Sequence, residues 1–143
     1  MRIMLDTNVF ISIVVFGSKQ LSTMLNKICK EHRLVLSSYI LEELSAVINS
    51  KFPAKVSVID NILFNMPFEI EFTPHILPKH DFFSIRDPKD EKILYSAITA
   101  DVDILITGDR DFLDIEIKHP EILSPSEFIK RHISGSLIDD PPK

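Results

Sequence analysis

Ile104-Leu-Ile-Thr-Gly-Asp-Arg-Asp-Phe-Leu113, ILITGDRDFL, runs apolar for three residues, breaks at Thr-Gly and then sets two carboxylates around one arginine. Asp103 to Ile106 reads as a buried strand, and Thr107-Gly108 as the turn that ends it. The start of the chain repeats this arrangement. Arg2-Ile-Met-Leu5 is a short apolar run, followed at once by Asp6-Thr7-Asn8, residues that favour turns and helix caps. Asp6 and Asp109 therefore both stand just beyond buried strands.

Outward from these two strands, apolar runs alternate with helical patterns. Val9 to Phe16 is β-branched and ambiguous between helix and strand. Gly17-Ser18 precedes a helix from Leu21 to Lys30, and Arg33 to Leu36 is the second strand. Ser37 or Ser38 caps a helix over Tyr39 to Asn49. A helix from Ala54 to Asn65 leads to a third strand at Phe68 to Phe72 and a proline-punctuated loop from His75 to Phe83. Asp87-Pro88 opens a helix reaching about Asp101. Beyond ILITGDRDFL, Ile115-Glu-Ile-Lys118 is expected as a fifth, edge strand. Ser124-Pro125-Ser126-Glu127 is a capping box that starts a last short helix over Pro125 to His132.

Strands that are apolar throughout and alternate with helices imply a parallel sheet covered on both faces. The expected fold is α/β: one doubly wound domain over 1–132, with four or five strands and helices on both sides, then a flexible tail over 133–143. In such sheets ligands bind beyond the carboxyl ends of the strands, where the strand order reverses. Asp6 and Asp109 fall on that edge.

The totals agree with one domain. The chain has 143 residues, 45% of them hydrophobic and 26% charged, which is enough for one core and too little for two. The lone Cys29 cannot form an internal disulfide, which fits a reducing compartment. The apolar stretch from Val9 is too short to span a bilayer and lacks the flanks of a signal peptide. An unprocessed cytoplasmic protein with no membrane association is expected. A formal charge of −5 argues against a broad basic nucleic-acid footprint, but not against phosphate held locally through metal ions.

Helical geometry separates the remaining acids. At about 100° per residue, Ile40, Leu41, Leu44, Val47 and Ile48 form one stripe, with Glu43 roughly 100° from its centre and Glu42 about 160° away. Glu42 is a solvated charge, whereas Glu43 borders the buried face near the sheet edge. In the helix after Asp87, the residues Ile93, Leu94, Ala97 and Ile98 form the stripe, and Asp90 falls near its middle. A carboxylate there needs a partner, because an unpaired buried charge is costly. Singly, each acid has an ordinary structural explanation: Asp6 and Asp109 as turn or cap residues, Asp90 in a capping box, Glu43 as an ion-pair partner, Asp111 as a solvated neighbour. Asp87 reads as a cap.

If the first and fourth strands are neighbours, Asp6, Glu43, Asp90 and Asp109 converge. Gathered carboxylates raise one another's pKa values, and a divalent cation relieves the conflict. An all-oxygen set with no histidine or cysteine nearby selects Mg²⁺ or Mn²⁺ over zinc. Such a centre suits phosphodiester cleavage.

Together, Leu5-Asp-Thr-Asn8, the Ser37 to Leu44 segment with Glu43-Leu44, Asp87-Pro-Lys-Asp90 and Thr107-Gly-Asp-Arg-Asp111 resemble a PIN-domain ribonuclease. The nearest likeness is to the VapC-like toxin components of prokaryotic toxin–antitoxin pairs. The resemblance spans about residues 1–130 and implies a Mg²⁺- or Mn²⁺-dependent endoribonuclease. Its acidic quartet maps onto Asp6, Glu43, Asp90 and Asp109. Asp6, Asp90 and Asp109 would hold metal, with Glu43 binding a second ion or positioning water, and Asp111 an outer or second-metal ligand. Asn8 and Thr107 would orient waters or carboxylates, and Arg110 and Arg86 are candidates for substrate phosphate beside their reading as solvated charge. The resemblance also implies an RNA substrate, a homodimer and an antitoxin partner. Apolar residues of Val9 to Phe16 could serve such contacts, although core packing is the favoured reading.

Two alternatives remain at this point. A Mg²⁺ phosphatase of haloacid-dehalogenase type also places an aspartate after its first strand, but would want a second one where Asn8 stands. A receiver, or a noncatalytic metal-binding interaction module, is the other; a receiver wants an aspartate after the third strand, where Thr73-Pro74 occurs.

Overall fold

The computed structural model describes residues 1–112 and 114–133. Strand β1 (Arg2–Leu5) is central, and β2 (Arg33–Ser37), β3 (Glu69–Glu71), β4 (Ile104–Ile106) and β5 (Glu121–Leu123) complete a sheet of order β3-β2-β1-β4-β5. Every pairing is parallel. The register sets Ile3 beside both Leu34 and Ile104. The strand order reverses at β1, so β1 and β4 are neighbours, which meets the condition on which convergence of the four acids rested.

Alternation along the strands divides the core in two. Ile3, Leu5, Leu34, Leu36, Ile104 and Ile106 face one side; Met4, Val35 and Leu105 face the other. Helices α1 (Thr7–Val14), α2 (Lys19–Glu31), α4 (Val56–Asn65) and the short α6 (Pro125–Phe128) pack on the first side. Helix α5 (Pro88–Thr99) covers the second through Ile93, Leu94 and Ala97. Helix α3 (Ser38–Lys51) serves both: Leu44 and Ile48 join the first cluster and Ile40 the second. Burying a side chain such as Leu94 contributes about 1.5–3 kcal/mol.

Side-chain caps start the helices that border the sheet edge. Asp6 caps α1 by accepting from the Val9 amide, Ser37 caps α3 from Ile40, and Asp87 caps α5 from Lys89. The Ser124–Glu127 capping box is complete. Helix α5 ends at Thr99, earlier than the apolar pattern suggests, because Asp101 turns left-handed at φ 53°. The amides of Asp101 and Val102 then donate back to Ile98 and Ala97, closing the helix end in a Schellman arrangement.

Several local expectations change. The ambiguous segment from Val9 is helical from Thr7, and Val9, Phe10, Ile11, Ile13 and Val14 are buried core, leaving Phe16 in solvent. The helix expected from Ala54 begins as a 3-10 turn over Pro53–Lys55. The last helix widens after Phe128 into a π-turn over Ile129–Ile133.

The expected strand at Ile115–Lys118 is incorrect. Ile115 and Ile117 pack against the second core cluster without joining the ladder. The place beside β4 is taken by Glu121–Leu123, where the Glu121 amide donates to Asp103 and the Thr107 amide to Leu123. The tail expected over 133–143 lies outside the described residues apart from Ile133, which is buried. Among the described residues no single helix is long and apolar enough to cross a membrane.

Candidate active site

Beyond the carboxyl ends of β1 and β4 lies a cleft of about 430 Å³, bordered by α3 and the first turn of α5. Asp6, Glu43, Asp90 and Asp109 all line it, as does Asn8.

Asp6 sits at the junction of β1 and α1, with its amide donating to Ile106 across the β1–β4 pair. One carboxylate oxygen accepts from the Val9 amide at 3.1 Å and the other from the Thr107 hydroxyl. The capping role and the site role are therefore held by one side chain. Burial pushes its pKa up, opposed by those two hydrogen bonds, with Asp109 and Glu43 adding to the rise.

Thr107 is buried and does more than hold Asp6, because its Oγ1 also accepts from the Asp109 amide at 3.1 Å. Asp109 Oδ1 in turn accepts from the Asp111 amide at 2.9 Å. These successive bonds fold Thr107-Gly-Asp-Arg-Asp111 into a tight turn that brings Asp111 back toward Asp90.

Asp90, Asp109 and Asp111 each offer an oxygen, and those three oxygens lie within 4.8 Å of one another. Asp90 is only 6% exposed, and its Oδ2 has no hydrogen-bond partner among the described residues. Burial, followed by the charges of Asp109 and Asp87, raises the Asp90 pKa to about 7. Thr7, also in the cleft lining, has a buried Oγ1 that likewise lacks a partner among the described residues. A buried carboxylate oxygen with no donor, on a side chain grouped with two further carboxylates, could be satisfied by a cation. The all-oxygen donor set fits a hard divalent ion.

Glu43 is half-buried, as its helical angle predicted, and Glu42 is exposed. The Tyr39 hydroxyl donates to Glu43 Oε2 at 3.1 Å. Burial first, then the Glu43 charge, pushes the Tyr39 pKa up, which keeps the phenol a neutral donor. Lys92 lies over the Tyr39 ring at 5.2 Å from its centroid.

Asp6 and Glu43 thus share the cleft but stand outside the close triad, whose third member is Asp111. Arg86 and Arg110 are exposed and do not line the cleft. The lysines that do, Lys51 and Lys89, escaped the sequence reading. Lys51 follows Glu43 and Val47 at successive four-residue steps on α3, a spacing that was available as a signal. Tyr39, four residues before Glu43, carried a similar one.

A family model, that of the PIN domain, matches residues 2–111. The chain belongs to the PIN-domain family. Curated protein sequences give no match to this PIN domain. Among solved structures it is similar to a chain of the crystal structure of VapBC2 from Rickettsia felis bound to a DNA fragment from their promoter. The TM-score is 0.65 at 20% identity, and the superposition covers 87% of this chain and 98% of that one. That likeness carries the fold. Family membership sets aside the haloacid-dehalogenase and receiver alternatives.

Proposed function

We propose that this PIN domain is a Mg²⁺- or Mn²⁺-dependent endoribonuclease. The observation that carries the reading is the Asp90–Asp109–Asp111 triad with the buried, unpartnered Asp90 Oδ2 at its base. These three side chains would hold the ion. A divalent cation bound there would lower the pKa of water and offset charge developing on a phosphodiester. Asp6, held by Thr107 and the α1 amide, adds negative charge beside the triad and keeps β1 and β4 aligned under it. Glu43, steadied by Tyr39, faces the same cleft and orients water for attack on phosphorus, taking its proton as the P–O bond to one ribose oxygen breaks and that leaving oxygen is protonated by solvent water. Lys89, one residue before Asp90, provides positive charge for the substrate phosphate, with Arg86 and Arg110 outside the cleft.

The biological setting we infer is a toxin of a toxin–antitoxin pair acting in the cytoplasm, as a homodimer with a cognate antitoxin. The fold shared with the VapBC2 chain supports this reading. Wild type and Asp90→Asn are to be compared for RNA cleavage and growth arrest, with Mg²⁺ or Mn²⁺ against chelator. Cleavage and arrest by the wild type alone, abolished by chelator, is the expected result. Metal binding with equal behaviour of the two proteins would return the chain to a noncatalytic interaction role.

A further inference from the structure

The cleft continues past its acidic end. Glu43, Val47 and Lys51 all line it from α3, so Lys51 stands about 12 Å along the helix axis from Glu43. The next residue, Phe52, also lines the cleft, and its ring meets that of Phe16 edge-on with centroids 6.2 Å apart. Packing against the core accounts for the inner side of Phe52. It does not account for Phe16, which is 72% exposed beyond the end of α1.

We propose that Lys51, Phe52 and Phe16 form a seat for one nucleotide of single-stranded RNA beside the acidic cluster. The ammonium meets a backbone phosphate and the aromatic pair meets an unstacked base. This rests on the ribonuclease reading and adds its substrate class. Five carboxylates line the cleft against two lysines, so phosphates are repelled except where a cation compensates. Two turns of helix separate Lys51 from Glu43, which puts its contact on a nucleotide other than the one being cut. A duplex keeps its base faces inside its own stack, so only an unpaired nucleotide can present one to an aromatic ring. Stacking of this kind tolerates any base.

The test uses the full chain with Mn²⁺ and compares a dinucleotide, a longer single-stranded RNA and a duplex of the same sequence. The variants are Phe16→Ser and Lys51→Gln, with Lys27→Gln on α2 as a remote control. Phe16 is exposed, so its replacement probes the aromatic pair without disturbing the core. The wild type is expected to prefer the longer single strand over both other substrates. Each variant is expected to raise its KM about tenfold, with the loss falling on KM rather than kcat. Lys51→Gln should also reduce the salt dependence of binding by about 0.7 in log–log slope, which Phe16→Ser should leave in place. If the wild type cuts single-stranded RNA but both variants match Lys27→Gln, the seat is overturned and the ribonuclease reading stands. Equal cleavage of duplex overturns the seat as well. No RNA cleavage by the wild type with either metal removes both.

Discussion

Thr107 and Asp6 stand 101 residues apart in the chain, and the threonine hydroxyl donates to Asp6 Oδ2. The same hydroxyl oxygen accepts from the Asp109 amide, so one side chain joins the aspartates that follow β1 and β4. Parallel pairing of those strands brings the two loops together. Thr107 then fixes how their carboxylates face the cleft.

Thr107→Val is isosteric but removes the donor and leaves Asp6 Oδ2 buried without it. The expected loss is about 1–3 kcal/mol of stability in urea unfolding. Cleavage should fall with it, and Thr107→Ser should recover both. Wild-type stability in Thr107→Val would show that the bond contributes nothing to holding the strand ends.

The pH dependence of metal-free stability follows from Asp90. Its folded pKa, about 7, lies above the ordinary carboxylate value, so the folded state binds this proton more tightly than the unfolded chain. The associated stabilisation is complete below pH 4 or so and is lost as pH rises through about 7. Asp6, also raised, acts in the same direction. Unfolding midpoints in chelator should therefore decline for this group between pH 5 and pH 8, and Asp90→Asn should flatten the decline. A wild-type profile that superposes on that of Asp90→Asn would contradict the shift.

Mn²⁺ is expected to stabilise the protein more at pH 8 than at pH 6, because binding must displace the Asp90 proton. At a free concentration of 100 times Kd the gain is about 2.7 kcal/mol, measurable as a rise in Tm. Chelator should reverse it. A pH-independent rise would place the ion away from Asp90.

Asp111 is exposed in part because it stands at the lip of the triad, yet it contributes one of the three close oxygens. Asp111→Asn should weaken Mn²⁺ binding at least about tenfold by calorimetry, comparable with loss of other groups that shape a metal site. Unchanged affinity would return Asp111 to the role of a solvated neighbour.

Much of this molecule is legible in one dimension. Short apolar runs between helical patterns specify a parallel sheet with two covered faces, since only such strands need to be apolar on consecutive residues. Cap residues are local as well: Asp6, Ser37, Asp87 and Ser124 each bond an amide two or three residues away. The placement of Asp90 on the buried face of α5 and Glu43 at the margin of α3 follows from helical angle alone. The mistaken fifth strand shows the limit. Ile115-Glu-Ile-Lys alternates as an edge strand does, but apolar side chains can cover a sheet from outside the ladder, and the pattern does not distinguish the two.

The sequence by itself determined the layered architecture, the strand-end aspartates and the helical faces that carry Glu43 and Asp90, because these depend on short-range periodicity and capping; their convergence needed β1 beside β4. Only the tertiary structure decided which carboxylates form the close group. Asp6 has both oxygens engaged, one by a threonine from the neighbouring strand, while the turn at Thr107–Asp111 swings Asp111 to Asp90 and Asp109. The lysine and aromatic pair beyond them belong to the same class of fact. Their meeting depends on how α1 and α3 cross, and contacts between distant segments are set by packing of the whole chain rather than by the spacing of its residues.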